Sequence, residues 1–193
     1  MVNSVFLNDK ILLKILNYIS KQRQSHQIRM MFFCSLNGMR SINFTYLQIK
    51  DVYTSHFSVR DVIYLNGDKN KGKNRCSYYL NEQIKQEFKI YLQHLKDKNN
   101  TLTPETYLFV SQKTNKPYHR VSVSRLFARI YRHFGIEGAS HLGRHLFVSR
   151  LVNAGVNICI VQKLVNHKHL STTQLYFNSD EKMLKKAVKK VEI

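Results

Sequence analysis

The amino-acid sequence predicts a mainly helical protein with one small antiparallel β-hairpin, an α+β fold. In most of the 193 residues, apolar side chains recur every three or four positions, as they do on one face of a helix. Residues 52–80 instead contain short β-branched and aromatic runs around a polar loop. With 43% hydrophobic content, the chain suits one compact core, and we expect residues 1–193 to form a single domain.

The first third of the chain predicts three helices. Residues 9–22 have an apolar stripe and can be capped by Asn8 or by Asp9. A second helix is expected in the segment IRMMFFCSL, ending at Asn37-Gly38. The third runs from about Ser41 through the segment FTYLQI. Arg40 therefore lies at a junction between helices, where a basic side chain can face a cleft.

A hairpin and a long helix follow. The runs SVRDVIYL and CSYYL flank the lysine-rich loop NGDKNKGKN, which predicts two antiparallel strands joined at a basic tip. Helical spacing returns in NEQIKQEFKIYLQHLK, where Asn81 can cap the first turn. The expected buried positions of this helix are Ile84, Phe88, Leu92 and Leu95. The segment YLFV predicts a short strand.

The last third is predicted to be helical. HLGRHLFVSRLVNAG predicts a helix that ends at Gly155, with Leu142, Leu146, Val148 and Leu151 among its buried positions. VNICIVQKLVN predicts another helix, which ends just before His167. Ser171 and Gln174 form a capping-box signature, which puts Tyr176 on a short helix. Residues 181–193 predict one more amphipathic helix.

The charge of the chain points to a polyanionic partner. Thirty-one Lys and Arg residues against 12 Asp and Glu residues give a net charge of +19 and a pI near 10, so nucleic acid is the first candidate. A membrane surface is less favoured, since the sequence has neither a long apolar run nor a signal peptide. The odd, widely spaced Cys34, Cys76 and Cys159 indicate reduced thiols, so we expect a soluble cytoplasmic protein.

Five polar residues could together form a phosphodiester-cleaving site. They are Arg40, His141, Arg144, His167 and Tyr176. Guanidinium groups can hold phosphate oxygens, imidazoles can move protons or donate hydrogen bonds, and a phenol can attack phosphorus. Each residue alone is better explained as a solvated basic surface residue or a packing residue. Only their joint pattern is informative.

That joint pattern resembles the tyrosine recombinase (phage integrase) family. HLGRHLFVSRLVNAGVNICIVQKLVNHKHLSTTQLYF is similar to the family's C-terminal signature, with the same intervals of 3, 23 and 9 residues between its four key residues. GMRSINFTYLQIKDV resembles the family segment that supplies the first arginine, and KNKGKNR resembles the hairpin tip that carries a catalytic lysine. The resemblance covers about residues 10–190 and implies the fold of a tyrosine recombinase catalytic domain.

The resemblance implies a role for each key residue. Tyr176 would attack the scissile phosphate and form a 3′-phosphotyrosyl intermediate. Arg40 and Arg144 would bind its non-bridging oxygens. His141 would act as general base or proton relay, and His167 would donate a hydrogen bond to the same phosphate. The phosphotyrosyl bond conserves energy for rejoining, so neither ATP nor a metal ion is expected.

The resemblance also implies a lysine that protonates the leaving 5′-oxygen. We favour Lys71, with Lys69 and Lys73 as alternatives, because the hairpin tip does not align without a shift. Further contacts with DNA are predicted from Lys69, Lys73, Arg75, Arg120 and Arg125.

Three positions depart from the family pattern. Asn43 stands where the family usually has Glu, so one support for the first arginine is expected to be altered. Gly143 replaces Leu, and a glycine inside a helix costs about 1 kcal/mol and removes a packing contact. Asn166 replaces Gly. None of the three is a reacting group, so activity is still expected.

The resemblance further implies partners and an assembly. Fewer than 40 residues precede Arg40, so we expect no N-terminal core-binding domain; the chain resembles the short fimbrial invertases, or a fragment of a longer recombinase. The expected partner is double-stranded DNA with inverted-repeat sites, bound by a homotetramer that is a monomer or weak oligomer when free. Residues 181–193 would dock on a neighbouring protomer, and strands would be exchanged through a four-way junction.

Three other functions compete with this interpretation. A zinc site could use His141, His145, His167 and His169, but it lacks the glutamate of an H-E-x-x-H motif. A DNA-binding regulator or a decayed recombinase would bind DNA without cutting it. A type IB topoisomerase would share the chemistry but would relax DNA as a monomer.

Overall fold

The computed structural model describes residues 8–66, 75–98, 101–176 and 188, and it divides into two compact units, residues 1–147 and residues 148–193. Its elements are α1 Asp9–Ser20, α2 Ser25–Leu36, α3 Ser41–Phe44, α4 Ile49–Val52, β1 Val62–Leu65, β2 Cys76–Tyr79, α5 Glu82–Lys98, α6 Arg120–His133, α7 Leu142–Asn153, α8 Ile158–Leu164 and α9 Ser171–Gln174. This confirms the mainly helical fold class. No described helix is long and apolar enough to cross a membrane.

The first two helices agree with the predictions. The side-chain oxygen of Asn8 accepts the backbone N–H of Ile11 at 2.8 Å and so caps α1. The inner face of α1 is buried at Leu12, Ile15 and Ile19. α2 is buried along most of its length and ends before Gly38, whose φ of +80° lies in the left-handed region that closes many helices.

The predicted third helix is wrong as one continuous element. Residues 41–52 form two short helices, α3 and α4, separated by a turn. The Leu47 carbonyl accepts the Leu108 N–H at 2.8 Å, and the Ile49 N–H donates to the Thr106 carbonyl at 2.9 Å. These long-range bonds occupy backbone groups that a continuous helix would use. The segment YLFV does not form the predicted strand. It instead contains two isolated β-bridges, between Tyr107 and Gln48 and between Val110 and Pro117.

The hairpin is confirmed as a two-stranded antiparallel sheet. Ile63 pairs with Tyr78 and Leu65 pairs with Cys76, and these four side chains form its buried face. The other face exposes two tyrosines, Tyr64 and Tyr79. The lysine-rich tip, residues 67–74, lies outside the described residues.

Helix α5 also agrees with the prediction. The Asn81 side chain accepts the Ile84 N–H at 3.0 Å, and the four predicted core positions of this helix are all buried. Glu87 is buried as well, and its carboxylate accepts two hydrogen bonds from the Arg29 guanidinium, one from Nε at 2.7 Å. This paired charge joins α2 to α5.

One helix of the first unit was not identified from the sequence. Helix α6 buries Val123, Phe127, Ile130 and Tyr131. This spacing is the signal that could have predicted it. Phe127 and Tyr131 pack with Phe32 of α2, so α6 completes the aromatic core of this unit.

Predictions for the last third need three corrections. Helix α7 starts at Leu142 and buries Val148 and Val152, while Leu142, Leu146 and Leu151 are only half-buried. Ser171 does not cap α9, because that helix starts after Leu170 without a side-chain cap. Tyr176 lies in the turn after α9 and not on the helix.

The predicted helix at residues 181–193 falls outside the described residues, apart from Val188. The single-domain expectation stays a prediction.

Candidate active site

Arg40 occupies the predicted junction. It is the N-cap residue of α3, and its backbone carbonyl accepts the N–H groups of Asn43 at 2.9 Å and Phe44 at 3.2 Å. The residue is half-buried. Its backbone is therefore held by the first turn of α3, while its side chain remains partly accessible to a ligand.

Arg144 lies in the first turn of α7 and reaches the same junction. It is 5% exposed, and its Nη1 donates to the Gly38 carbonyl at 2.5 Å. Gly38 precedes Arg40 by two residues. The contact thus ties the second arginine to the backbone segment that carries the first.

His141 directly precedes α7, its carbonyl accepts the His145 N–H at 2.9 Å, and its side chain is partly exposed. Partial burial lowers the pKa of His141 below its usual 6.5, and the positive charges of Arg144 and Arg40 lower this pKa further. The pKa of His145 is also lowered, by partial burial and then by His141 and Arg144. The first unit therefore brings Arg40, His141 and Arg144 together, with a histidine that is neutral at neutral pH and can accept a proton.

The altered position Asn43 has a buried partner that the sequence analysis missed. The Tyr78 hydroxyl donates to the Asn43 side-chain oxygen at 2.9 Å, and both residues are buried. Burial raises the pKa of Tyr78, although Arg144 and Arg40 act in the opposite direction. The phenol therefore stays protonated. Nothing in the local sequence of Tyr78 indicates this contact.

Gly143 is required by a close approach. A Cβ at this position would lie 2.5 Å from Ser35 Oγ and 3.1 Å from the Ser35 carbonyl carbon. Ser35 Oγ in turn donates to the Ser140 carbonyl at 3.0 Å, beside His141. The interpretation of Gly143 as a lost packing contact is wrong, because the first turn of α7 leaves no room for a side chain there.

In the second unit, Thr173 connects His167 to Tyr176. The His167 Nδ1 and Thr173 Oγ1 atoms are 2.9 Å apart, and the Tyr176 N–H donates to the Thr173 carbonyl at 3.1 Å. Thr173 is fully buried, whereas His167 and Tyr176 are half-buried. The hydroxyl fixes the orientation of the imidazole, and the carbonyl fixes the turn that carries the phenol. Thr173 is a site residue that the sequence analysis missed.

The departure at Asn166 has a conformational explanation. Its φ is +52°, in the left-handed region that normally favours glycine, and asparagine is among the few other residues that adopt it readily. The turn returns the chain so that the His167 N–H donates to the Gln162 carbonyl at 3.0 Å. Asn166 therefore supports the same turn that a glycine would.

The remaining predicted DNA contacts are described in part. Lys69, Lys71 and Lys73 lie outside the described residues, whereas Arg75, Arg120 and Arg125 are exposed. Arg125 lines a groove of about 510 Å³ that is also lined by Arg23 and Arg129. This groove in the first unit is a basic surface that a phosphate backbone could contact.

The zinc interpretation has no geometric support in the described part of the chain. No group of three or more His, Cys, Asp or Glu side chains there is arranged to hold a metal ion. Of the candidate ligands, His141 and His145 belong to the first unit, and His167 and His169 belong to the second.

Comparisons with known proteins agree with the resemblance. The phage integrase family model matches residues 6–183. The XerA tyrosine recombinases of Pyrococcus horikoshii and Pyrococcus furiosus are 29% and 30% identical to the chain over 158 residues, which is 81% of this chain and 51% of each relative. The chain thus spans about half the length of the curated relatives it matches.

Solved structures show the same fold. The Tn1549 transposon integrase in complex with a circular intermediate DNA has a TM-score of 0.71 and 19% identity, covering 96% of this chain and 65% of that chain. XerH recombinase bound to its difH substrate has a TM-score of 0.70 and 22% identity, covering 95% and 53%. A crystal structure of XerA recombinase has a TM-score of 0.68 and 22% identity, covering 96% and 64%.

We predict that Gly143→Leu destabilises the protein. The new side chain would overlap Ser35, and overpacking costs about 1–3 kcal/mol, which outweighs the gain of about 1 kcal/mol from replacing a helical glycine. Chemical denaturation measures the free energy of unfolding. Ser35→Gly in the same chain should recover part of the loss, and Asn153→Leu, at an exposed position of α7, is the control. A Gly143→Leu variant as stable as the wild type would contradict the close approach.

We also predict that His141 titrates below pH 6.5 in the free protein. Its protonated form is disfavoured by burial and by two guanidinium groups, so the neutral form persists to lower pH. Arg40→Gln removes one of these charges and should raise the pKa of His141. Arg125→Gln, which removes a charge that does not act on His141, is the control. NMR titration of the ring resonances measures both, and a wild-type midpoint above 6.5 would refute the prediction.

Proposed function

Because the chain belongs to the phage integrase family, we propose that it is a site-specific DNA recombinase that cuts and rejoins DNA through a covalent tyrosine intermediate. The observation that carries this proposal is the cluster of Arg40, Arg144 and a neutral His141 in one unit. His167 and Tyr176, connected through Thr173 in the other unit, supply the remaining groups.

In the proposed reaction, the Tyr176 phenol loses its proton and attacks the scissile phosphorus. A bond forms between the phenolic oxygen and phosphorus, and the bond from phosphorus to the 5′-oxygen breaks. The leaving oxygen takes up a proton and becomes a 5′-hydroxyl. Attack of a 5′-hydroxyl from the other DNA site then releases Tyr176 and rejoins the strand. The phosphodiester energy is conserved, so the proposal requires no ATP, and the two arginines take the charge-stabilising role that a metal ion could have.

The two arginines would stabilise the transition state. Arg40 and Arg144 can each donate a fork of N–H groups to the non-bridging oxygens as negative charge builds up on them. Arg144 is buried and its side chain is already hydrogen-bonded to Gly38, so it needs little reorganisation to act. A lysine would lack the planar fork that this geometry uses.

The histidines have complementary proposed roles. A neutral His141 can accept the proton of the attacking phenol, and its lowered pKa keeps the imidazole in this neutral form at neutral pH. The contact between His167 Nδ1 and Thr173 would leave Nε2 of that ring to donate to the phosphate. The hairpin lysine, Lys71 or one of its neighbours Lys69 and Lys73, would protonate the leaving 5′-oxygen.

The proposed partner is double-stranded DNA with inverted-repeat sites. A net charge of +19 and the groove formed by Arg23, Arg125 and Arg129 support binding to a phosphate backbone. We propose a homotetramer on DNA, strand exchange through a four-way junction, docking of residues 181–193 on a neighbouring protomer, and a cytoplasmic location.

We predict that Tyr176→Phe abolishes formation of the covalent protein–DNA adduct. The phenylalanine ring fits the same turn, but it has no oxygen to attack phosphorus. The assay uses a nicked suicide substrate from which the short 5′-hydroxyl fragment diffuses away, so that the wild-type adduct accumulates. Its yield is read on a denaturing gel, and DNA binding is measured by mobility shift.

Tyr46→Phe, a tyrosine exposed on the first unit, serves as the matched control and should form the adduct normally. A Tyr176→Phe variant that still nicks DNA would refute the proposed nucleophile. Wild-type protein that binds DNA without any adduct would indicate a regulator or a decayed recombinase. Relaxation of supercoiled DNA without strand exchange would indicate topoisomerase activity.

A chemical rescue should identify the hairpin lysine. We expect Lys71→Ala to slow cleavage of normal DNA by about 10²-fold or more, which is typical of a lost general acid. Replacing the scissile 5′-oxygen by sulfur should restore the rate, because a thiolate leaves without protonation. Lys69→Ala and Lys73→Ala are the matched controls. If sulfur rescues one of these variants and not Lys71→Ala, the assignment moves to that lysine.

A further inference from the structure

A closed set of hydrogen bonds surrounds the backbone of Arg40. The Tyr78 hydroxyl donates to Asn43 Oδ1 at 2.9 Å and also has a hydrogen bond with the Arg40 backbone, in which the N–H donates to the phenol. The Asn43 N–H completes the set by donating to the Arg40 carbonyl at 2.9 Å. Arg40 and Asn43 belong to the start of α3, whereas Tyr78 belongs to β2 of the hairpin.

We propose that Tyr78 is a positioning residue for Arg40 and holds the backbone of the arginine in a fixed position relative to the hairpin. This inference rests on the proposed recombinase function. Tyr78 would touch neither DNA nor the reacting atoms. It would act by holding the backbone of Arg40 through a hydrogen bond. Arg144 holds the carbonyl of Gly38, two residues earlier, through another.

Burial makes this contact a strong constraint. Tyr78 is 1% exposed and Asn43 is 0% exposed, so losing either partner would leave a polar group without water to replace it. A second hydrogen bond joins the same two segments, in which Asn37 Nδ2 donates to the Tyr79 carbonyl at 2.9 Å. Two neighbouring residues of β2 thus attach the segment around Arg40 to the hairpin.

The position of Tyr78 in the hairpin makes the constraint relevant to the reaction. β2 begins two residues before Tyr78, directly after the tip segment that contains the candidate lysines. Arg40 binds the phosphate and the lysine protonates the leaving oxygen in the proposed reaction. A tie between β2 and the Arg40 backbone would hold the arginine in a fixed position, and small errors in the position of a group that binds the transition state slow catalysis strongly.

The pair is also electrically neutral. Asn43 stands where the family that the chain belongs to usually has glutamate, and the protonated Tyr78 supplies its partner. A carboxylate at this position would offset part of the charge of Arg40 and Arg144. The neutral pair fixes the backbone without that offset, so the arginines keep their full attraction for phosphate.

Tyr78→Phe tests the proposal because it keeps the buried ring and removes only the hydroxyl. We expect the single-turnover cleavage rate at saturating protein to fall about 10- to 100-fold, the size of loss associated with misplaced reacting groups. DNA affinity in a mobility-shift assay should not change. Asn43→Leu removes only the contact between Tyr78 and Asn43 and should give a smaller loss, and the double variant should be no worse than Tyr78→Phe, because the Tyr78 hydroxyl makes both contacts.

Tyr53→Phe is the matched control for a general loss of stability. Tyr53 is equally buried, and its hydroxyl donates to the Phe88 carbonyl at 2.9 Å, away from the arginines. We expect it to lower thermal stability as much as Tyr78→Phe does, with normal cleavage. Equal cleavage rates for Tyr78→Phe and the wild type, or equal losses for Tyr78→Phe and Tyr53→Phe, would overturn the positioning role.

Hydrogen exchange separates this proposal from the proposed function. In Tyr78→Phe the Arg40 amide should exchange at least about fivefold faster than in wild type, as expected for a lost hydrogen bond, and Tyr53→Phe should leave it unchanged. NMR of the full chain without DNA measures this rate. If wild-type protein forms no adduct, the recombinase function fails, and the exchange rate alone then decides whether Tyr78 holds Arg40. An unchanged Arg40 rate overturns the inference in either case.

Discussion

The hydrogen bond from the Arg144 guanidinium to the Gly38 carbonyl is the contact that joins the two arginine-bearing segments of the first unit. It brings the start of α7 against the turn after α2. Two glycines permit this approach, since Gly38 adopts a φ of +80° and Gly143 leaves space for Ser35. Because Arg144 is buried, its hydrogen bonds must be satisfied within the fold, and the backbone segment next to Arg40 supplies one of them.

Closely spaced cations determine the electrostatics of this unit. Partial burial disfavours the protonated imidazole of His141, and the charges of Arg144 and Arg40 disfavour it further, so the histidine remains neutral. Asn43 and Tyr78, which lie against Arg40, add no negative charge. The proximity of two guanidinium groups therefore attracts an anion to the site and, together with burial, keeps the histidine in its neutral form.

The second unit organises its functional groups through a neutral residue. Thr173 is buried, its hydroxyl contacts the His167 ring, and its carbonyl accepts the Tyr176 N–H. Asn166 supports the turn before His167 by adopting a left-handed conformation. These contacts thus fix Tyr176 and His167 relative to each other, while both residues stay half-buried.

The sequence alone determined the family resemblance, the candidate site residues with their spacing, and the elements whose signals are local. The caps Asn8 and Asn81 and the alternating burial of the hairpin depend only on neighbouring residues. Tertiary structure decided the rest. The helix predicted beyond Ser41 is interrupted because residues 47 and 49 pair with the chain near residue 107. The need for Gly143, the partner of Asn43 and the pKa of His141 likewise arise from residues distant in sequence, whose proximity no local pattern records.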